Sequence, residues 1–270
     1  MDKIDPHQIS RHDFLKVLGL SFLGAGIASS CSIISDSTKA DWLEINSIRI
    51  KIPRLSPSFN GYRLLQISDI HFDDADMNRE RLADVIQVIN QQKVDLVAIT
   101  GDFITRNSNP LDQTLIFEQT LIEQLSKLTA QDGIVAVFGN HDLSDEAGIR
   151  QVMGKAGIRL LSNTVYLLQR GKDMLNITGI STHDDFSDRA LSRLREPGAT
   201  ILLAHYPDFA DQNAATGRID LQISGHSHGG QVNLPGLGPL ILPDAGIKYP
   251  SGLYNIGNML LYTNRGLGTL

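Results

Sequence analysis

Cysteine is nearly absent from this chain: Cys31 is the only one in 270 residues. A lone thiol closes no intramolecular disulfide and builds no thiolate zinc site, so neither staple holds the folded domain. Concentrated positive charge is missing as well. The formal net charge is −6, and no run of Lys and Arg offers to track a nucleic-acid backbone by counterion release. A dedicated nuclease and specific nucleic-acid binding are therefore disfavoured. No apolar run reaches the ~20 residues that span a bilayer comfortably, and there is no internal repeat or low-complexity tract. What remains, 41% apolar and 20% charged residues, is the composition of an ordinary folded domain, and the length suits one sizeable α/β unit.

The one cysteine closes an informative segment. Met1 to Lys16 is polar, Val17 to Ile27 is apolar, and Ala28, Ser29 and Ser30 then lead into Cys31. That order reads as an export signal, and small residues before Cys resemble a lipoprotein cleavage box. Ser10-Arg11-His12-Asp13-Phe14-Leu15-Lys16 looks like a twin-arginine signal in which His12 replaces the second arginine. The expectation is an export signal or a membrane or lipid anchor over 1–31, a polar linker over 32–42 and the functional domain over 43–270. The protein would then be membrane-associated or exported to the periplasm or cell envelope.

Alternation of apolar and polar residues from Leu43 to Ile52 predicts an edge strand that stops at Pro53. Further strands are expected at Arg63 to Ile67 (within a stretch from Tyr62 to Ser68), Leu96 to Thr100, Ile134 to Phe138, Leu175 to Ile180, Thr200 to Ala204 and Ile219 to Ile223. Helical faces lie between them: Leu82, Val85, Ile86 and Ile89 recur at i, i+3, i+4 and i+7, and Leu121, Leu125 and Leu128 at i, i+4 and i+7. Such faces need a sheet to cover, which gives a layered α/β domain with helices outside. After Gly230 the pattern turns to Gly, Pro and short β-like runs at Leu253 to Asn255 and Leu260 to Thr263, without a helix.

The polar motifs begin where these strands stop, the place where open α/β sheets present their ligand sites. In order they are Asp69-Ile70-His71, Gly101-Asp102, Gly139-Asn140-His141-Asp142, His205, and Gly225-His226-Ser227-His228-Gly229-Gly230. Five of the eight histidines fall inside them, a concentration that scattered surface histidines would not produce. His226 and His228, alternate residues of an extended segment, point the same way and can share a metal site. Carboxylates, an amide oxygen and imidazoles without sulfur suit Mn, Fe or Zn, and the set exceeds the four ligands of a closed structural zinc site. Two ions with a bridging carboxylate are therefore expected. Ions ~3.5–4 Å apart can activate a water and clamp the phosphoryl oxygens during in-line attack.

This ordered set resembles the calcineurin-like metallophosphoesterase superfamily, over Asp69 to His228 and most of the domain. The resemblance implies an α-β-β-α sandwich of two central mixed sheets flanked by helices. It implies one ion on Asp69, His71 and His228, a second on Asn140, His205 and His226, Asp102 bridging both, and His141 as the proton donor to the leaving group. The tail, through Leu234-Pro235-Gly236, Tyr249, Gly252-Leu253-Tyr254 and Asn264-Arg265-Gly266-Leu267-Gly268, is similar to a bacterial subgroup of membrane-associated or exported phosphodiesterases. That subgroup also shows acidic residues like Asp184-Asp185, for which only a capping role near Asp188 suggests itself. Thr105 stands where some branches carry a second Asp that orients the catalytic histidine. Asp142 or a different acid would have to serve, or His141 would work less well. Arg106 and Arg265 are candidates for substrate phosphate.

The activity implied is hydrolysis of a phosphodiester or pyrophosphate bond by a metal-bridging hydroxide, with two divalent ions, manganese foremost, as cofactors. Short loops leave the site uncapped, and a tethered N-terminus favours a lipid-linked or cell-envelope substrate. Two alternatives are a UDP-2,3-diacylglucosamine-type pyrophosphatase facing the cytoplasm and a metal-binding scaffold without catalysis.

Overall fold

The computed structural model describes residues 43–73, 76–105, 111–180, 191–195, 197–230, 233–234, 238–239 and 242–268. The expected export signal, the linker, Arg106, Asp184, Asp185, Asp188, Pro235 and Gly236 lie outside the described residues.

Two sheets form the centre. The first joins β1 (Leu64–Ile67), β2 (Leu96–Ile99), β3 (Ile134–Ala136) and β4 (Arg159–Leu160), all parallel and in chain order. Helices make the crossovers that parallel neighbours require: α1 (Arg79–Gln91) after β1, α2 (Leu111–Leu125) after β2 and α3 (Glu146–Lys155) after β3. The second sheet is built from β5 (Thr164–Arg170), β6 (Asp173–Gly179), β7 (Ala199–Leu203), β8 (Leu221–Ser224), β11 (Gly252–Ile256) and β12 (Met259–Thr263). Its spatial order is β11-β12-β8-β7-β6-β5. Its four inner strands are parallel, and β5 and β11 are antiparallel edges. A short helix, α4 (Ala210–Ala215), joins β7 to β8, and β9 (Asn233–Leu234) pairs with β10 (Gly238–Pro239) as a small separate ribbon. The expected sandwich is present, with the mixing of strand direction confined to the second sheet.

Side-chain alternation explains the layers. In β2 all four residues are buried; Val97 and Ile99 face the helices, while Leu96 and Ala98 face the second sheet. Strand β7 repeats this, with Ile201 and Leu203 between the sheets and Leu202 on the outer side with Ala210 of α4. Helix α1 buries Leu82, Val85, Ile86 and Ile89 on the first sheet. It starts where the Asn78 side chain accepts the Arg81 amide at 3.0 Å. Helix α3 starts the same way on Asp145 and buries Ile149, Val152 and Met153.

The expected strand from Leu43 to Ile52 does not form. Alternation identifies a face, but a strand also needs a ladder partner, and this segment has none. Leu43, Ile45 and Ile48 are exposed, and only Ile50 and Ile52 reach the core between the sheets. The segment is fastened by side chains. The Arg54 guanidinium donates to both Asp220 oxygens at 2.8 Å and to the Arg218 carbonyl at 2.8 Å. Glu44 pairs with Arg265 in the open.

These two fastenings are expected to differ in worth. Arg54→Ala leaves the buried Asp220 carboxylate with the Thr200 amide but without its charged partner, and should lower unfolding free energy by about 2 kcal/mol. Glu44→Ala removes an exposed pair and should cost less than about 0.5 kcal/mol. Urea denaturation of both variants measures this, and equal losses would contradict the assignment.

Candidate metal centre

Strands β1, β2 and β3 of the first sheet and β7 and β8 of the second end at a common edge, and the polar motifs leave from there. Backbone bonds tie these exits together. The Asp69 and His71 amides donate to the Gly101 and Asp102 carbonyls at 2.9 and 3.0 Å, and the Gly225 amide donates to the His205 carbonyl at 3.1 Å. The C-terminal Leu267 and Gly268 amides close over the first motif, on the Ser68 and Asp69 carbonyls.

All eight residues expected at the site come together. One group is Asp69, His71 and His228; another is Asp102, His205 and His226; a third links His71, Asp102 and His141. Asp102 joins them, its Oδ2 lying 3.2 Å from His205 Nε2 and 3.7 Å from His71 Nε2. His228 Nε2 stands 3.5 Å from Asp69 Oδ1 and 3.1 Å from His71 Nε2. The Asn140 side-chain oxygen is 3.1 Å from His205 Nε2. The His141 amide donates to Asp102 Oδ1 at 2.9 Å, and its ring meets His71 edge to face at 4.8 Å.

This cradle fits divalent cations. Two imidazole nitrogens each ~2.1 Å from one ion stand roughly 3.0–3.4 Å apart, and the His71 to His228 spacing of 3.1 Å matches. The donor set is oxygen and nitrogen only, as borderline divalent ions prefer. His205 gives its Nδ1 proton to the Thr100 carbonyl at 2.7 Å, and His226 gives its Nε2 proton to the Asp244 carbonyl at 2.7 Å. In its neutral form each ring is thereby left with one lone pair on its other nitrogen. Burial pushes the His71 imidazole down to about 3, and burial together with the nearby His205 pushes His226 down to about 4. Burial opposes charge on His205 too, but the Asp102 carboxylate outweighs it and lifts that imidazole to about 9.

The backbone is bent to suit this geometry. Of the eight non-glycine residues with positive φ among the described residues, five are Asp69, His71, Asp102, His226 and His228. Left-handed conformations of non-glycine residues are uncommon and collect where surrounding structure holds them for a function. Close approach also fixes glycine at 139, where a Cβ would lie 2.0 Å from Asp102 Oδ1.

The calcineurin-like phosphoesterase model matches residues 62–230, which contain every one of these motifs. The chain belongs to the calcineurin-like phosphoesterase family. It is similar to an uncharacterized metallophosphoesterase of Bacillus subtilis, YkuE, at 34% identity over 97% of this chain and 91% of that protein. It is also similar to the Escherichia coli phosphodiesterase YaeI, at 26% identity over 97% of this chain and 93% of that one. Among solved structures, the Thermus thermophilus sulfate thiohydrolase SoxB shares the fold, with a TM-score of 0.51 at 14% identity over 77% of this chain and 52% of that one. The protein is a metal-dependent phosphoester hydrolase.

Within this family member two expectations about neighbouring residues change. Asp142 was a candidate to orient His141, but it is fully buried and both its oxygens are engaged elsewhere. They accept the amides of Asp102 (2.9 Å), Phe103 (2.8 Å) and Gly139 (2.7 Å). It therefore fastens the Gly101-Asp102 turn to the Gly139-Asn140 turn. Arg265, a candidate for substrate phosphate, pairs with Glu44, and its stem packs where a Gly229 Cβ would stand. Thr105 donates its hydroxyl to the His71 carbonyl at 3.2 Å. Sequence reasoning missed the Asp244 carbonyl, which a main-chain role hides from residue patterns. It also gave no role to Tyr206, whose ring lies edge to face against His226 at 4.6 Å; an aromatic directly after a ligand histidine was the available signal.

Gly139→Ala should displace Asp102 and lower kcat/KM by roughly 100-fold or more, as ångström-scale misplacement does. Gly154→Ala meets no neighbour within 4 Å in α3; it should retain activity and add about 0.5–1 kcal/mol of stability. Steady-state kinetics and thermal melts of both variants check this, and a fully active Gly139→Ala enzyme would contradict the packing.

Proposed function

We propose that this chain hydrolyses phosphodiesters at a dinuclear centre, with Asp69, His71 and His228 holding one divalent ion, Asn140, His205 and His226 the other, and Asp102 bridging. The observation that carries this reading is the Asp102 carboxylate, whose Oδ2 is within 4 Å of imidazole nitrogens from both groups. Two divalent ions bound there would supply an activated water at neutral pH and neutralise charge on the phosphoryl group.

The chain's own residues perform the remaining tasks. Asp69 and Asp102, both buried, supply the negative charge that makes a water-poor cradle accept two cations. Thr100 and Asp244 fix the protons of His205 and His226 on the sides facing away. His141 is half-buried at the rim, with its backbone held on Asp102 and its ring perpendicular to His71. From there its imidazole can hand a proton to the departing oxygen.

A diester is the preferred class because the E. coli relative, similar along nearly its whole length, is named a phosphodiesterase. The composition of residues 1–31 supports placing the enzyme at a membrane or in the cell envelope, with a lipid-linked or envelope phosphodiester as substrate. A transmembrane protein of zebrafish carrying a metallophosphoesterase domain is 29% identical over 83% of this chain and 53% of its own length. Among the described residues no helix is long and apolar enough to cross a membrane. Manganese is the metal proposed for both positions.

The test strips metal from the full chain and assays bis(p-nitrophenyl) phosphate and p-nitrophenyl phosphate with and without added Mn(II), alongside Asp102→Asn. The expected outcome is Mn-restored hydrolysis, faster on the diester, reduced by more than about 100-fold in the variant. Faster monoester turnover would overturn the substrate class. No turnover despite two bound ions would replace the enzyme with a metal-binding scaffold.

A further inference from the structure

The two imidazoles of the proposed second ion are oriented by very different means. His205 donates Nδ1–H to Thr100, which directly follows β2 and is fixed by the sheet. His226 donates Nε2–H to Asp244, which lies on an irregular segment, 242–251, with no sheet ladder of its own. A neutral imidazole interconverts between two tautomers of similar energy, so the nitrogen left free for a metal is decided by the acceptor the other nitrogen finds. The position of the Asp244 carbonyl therefore matters as much as that of a ligand.

One side chain holds that segment in shape. The Asp208 carboxylate accepts the amides of three consecutive residues, Ile247 at 3.0 Å, Lys248 at 3.1 Å and Tyr249 at 3.2 Å. In return the Asp208 amide donates to the Ala245 carbonyl at 3.2 Å. These bonds all fall within the five residues after Asp244, where Ala245 has a φ of 64°, a conformation an alanine keeps only under restraint. The segment is also pressed onto the ligand motif: Ser227 Oγ donates to the Pro250 carbonyl, and Gly246 lies against Ser227. Asp211 ties the same segment from outside, through exposed contacts with Lys248 Nζ and the Tyr249 hydroxyl.

We propose that Asp208 is a positioning residue for the metal centre: through the 244–249 backbone it places the Asp244 carbonyl, which keeps His226 in the Nε2–H tautomer and leaves Nδ1 free to bind the ion. This rests on the reading of His226 as a ligand. Asp208 touches neither substrate nor metal in this scheme. It sets the affinity of the second ion and leaves the chemical step alone.

The experiment uses the full chain with Asp208→Ala, Asp208→Asn, Asp211→Ala and His226→Ala. Long-range 1H–15N NMR of the metal-free protein reads the His226 tautomer, and Mn(II) titration with ion counting reads the midpoint of the second binding step. Asp208→Ala should convert a single Nε2–H species into a mixture and raise that midpoint about 10- to 100-fold, with kcat at saturating metal within about threefold of the parent. Asp208→Asn keeps one acceptor oxygen and should fall between; it carries the same readouts if the alanine variant does not fold. Asp211→Ala should leave both readouts unchanged. Loss of an ion in His226→Ala with no change of tautomer or midpoint in the Asp208 variants overturns the inference alone. Two ions bound at parental affinity by His226→Ala overturn the ligand reading beneath it.

Discussion

A carboxylate buried between imidazoles that come from two different sheets is the constraint on which the rest of this structure depends. Asp102 is 1% exposed, and burial alone would favour its neutral form. His205, Nε2 at 3.2 Å, outweighs that and keeps the carboxyl well below its usual range. An ionised group in that setting must be matched by positive charge, or the cost of removing it from water is unrecovered. The fold supplies the match by bringing strand ends of both sheets to one edge.

Holding that arrangement has a cost in backbone conformation. Five of the proposed ligands adopt left-handed φ values, each worth on the order of 1 kcal/mol or more of strain. The compensation is visible in hydrogen bonds to backbone amides. Asp142 gathers three of them from two loops, Asp69 accepts the His226 amide through both oxygens at 3.0 and 3.1 Å, and Asp208 gathers three more behind His226. Acidic side chains thus do two separate jobs here: some face the centre, and others grip the loops that carry it.

Much of this was legible in residue order. Short apolar runs such as Leu96 to Ile99 marked strands because both faces are covered, and polar motifs placed directly after them marked the edge where ligands converge. The helical faces of Leu82 to Ile89 and of Leu121 and Leu125 were readable from spacing alone, since one apolar stripe meets one sheet; Leu128, expected on the second face, lies past the end of α2 but is buried in the same core. Leu43 to Ile52 misled because alternation carries no information about whether a ladder partner exists. Strand β4 has two residues, too few to show a period, and α4, with six, shows little more than one turn and a half. The Asp142 and Asp208 clamps and the Asp244 carbonyl were invisible for a different reason. They act on main-chain atoms, which every residue shares, so no residue type at the receiving position announces them.

The central claim is that one buried carboxylate joins two ions. Electron paramagnetic resonance of the chain loaded with Mn(II) tests it most directly, because ions ~3.5–4 Å apart through a shared ligand couple their spins. The account predicts two Mn(II) per chain and the multiline signal of a coupled pair, which Asp102→Asn converts to that of isolated ions. A native chain that binds a single ion, or two whose spectrum is already that of isolated Mn(II), would contradict it.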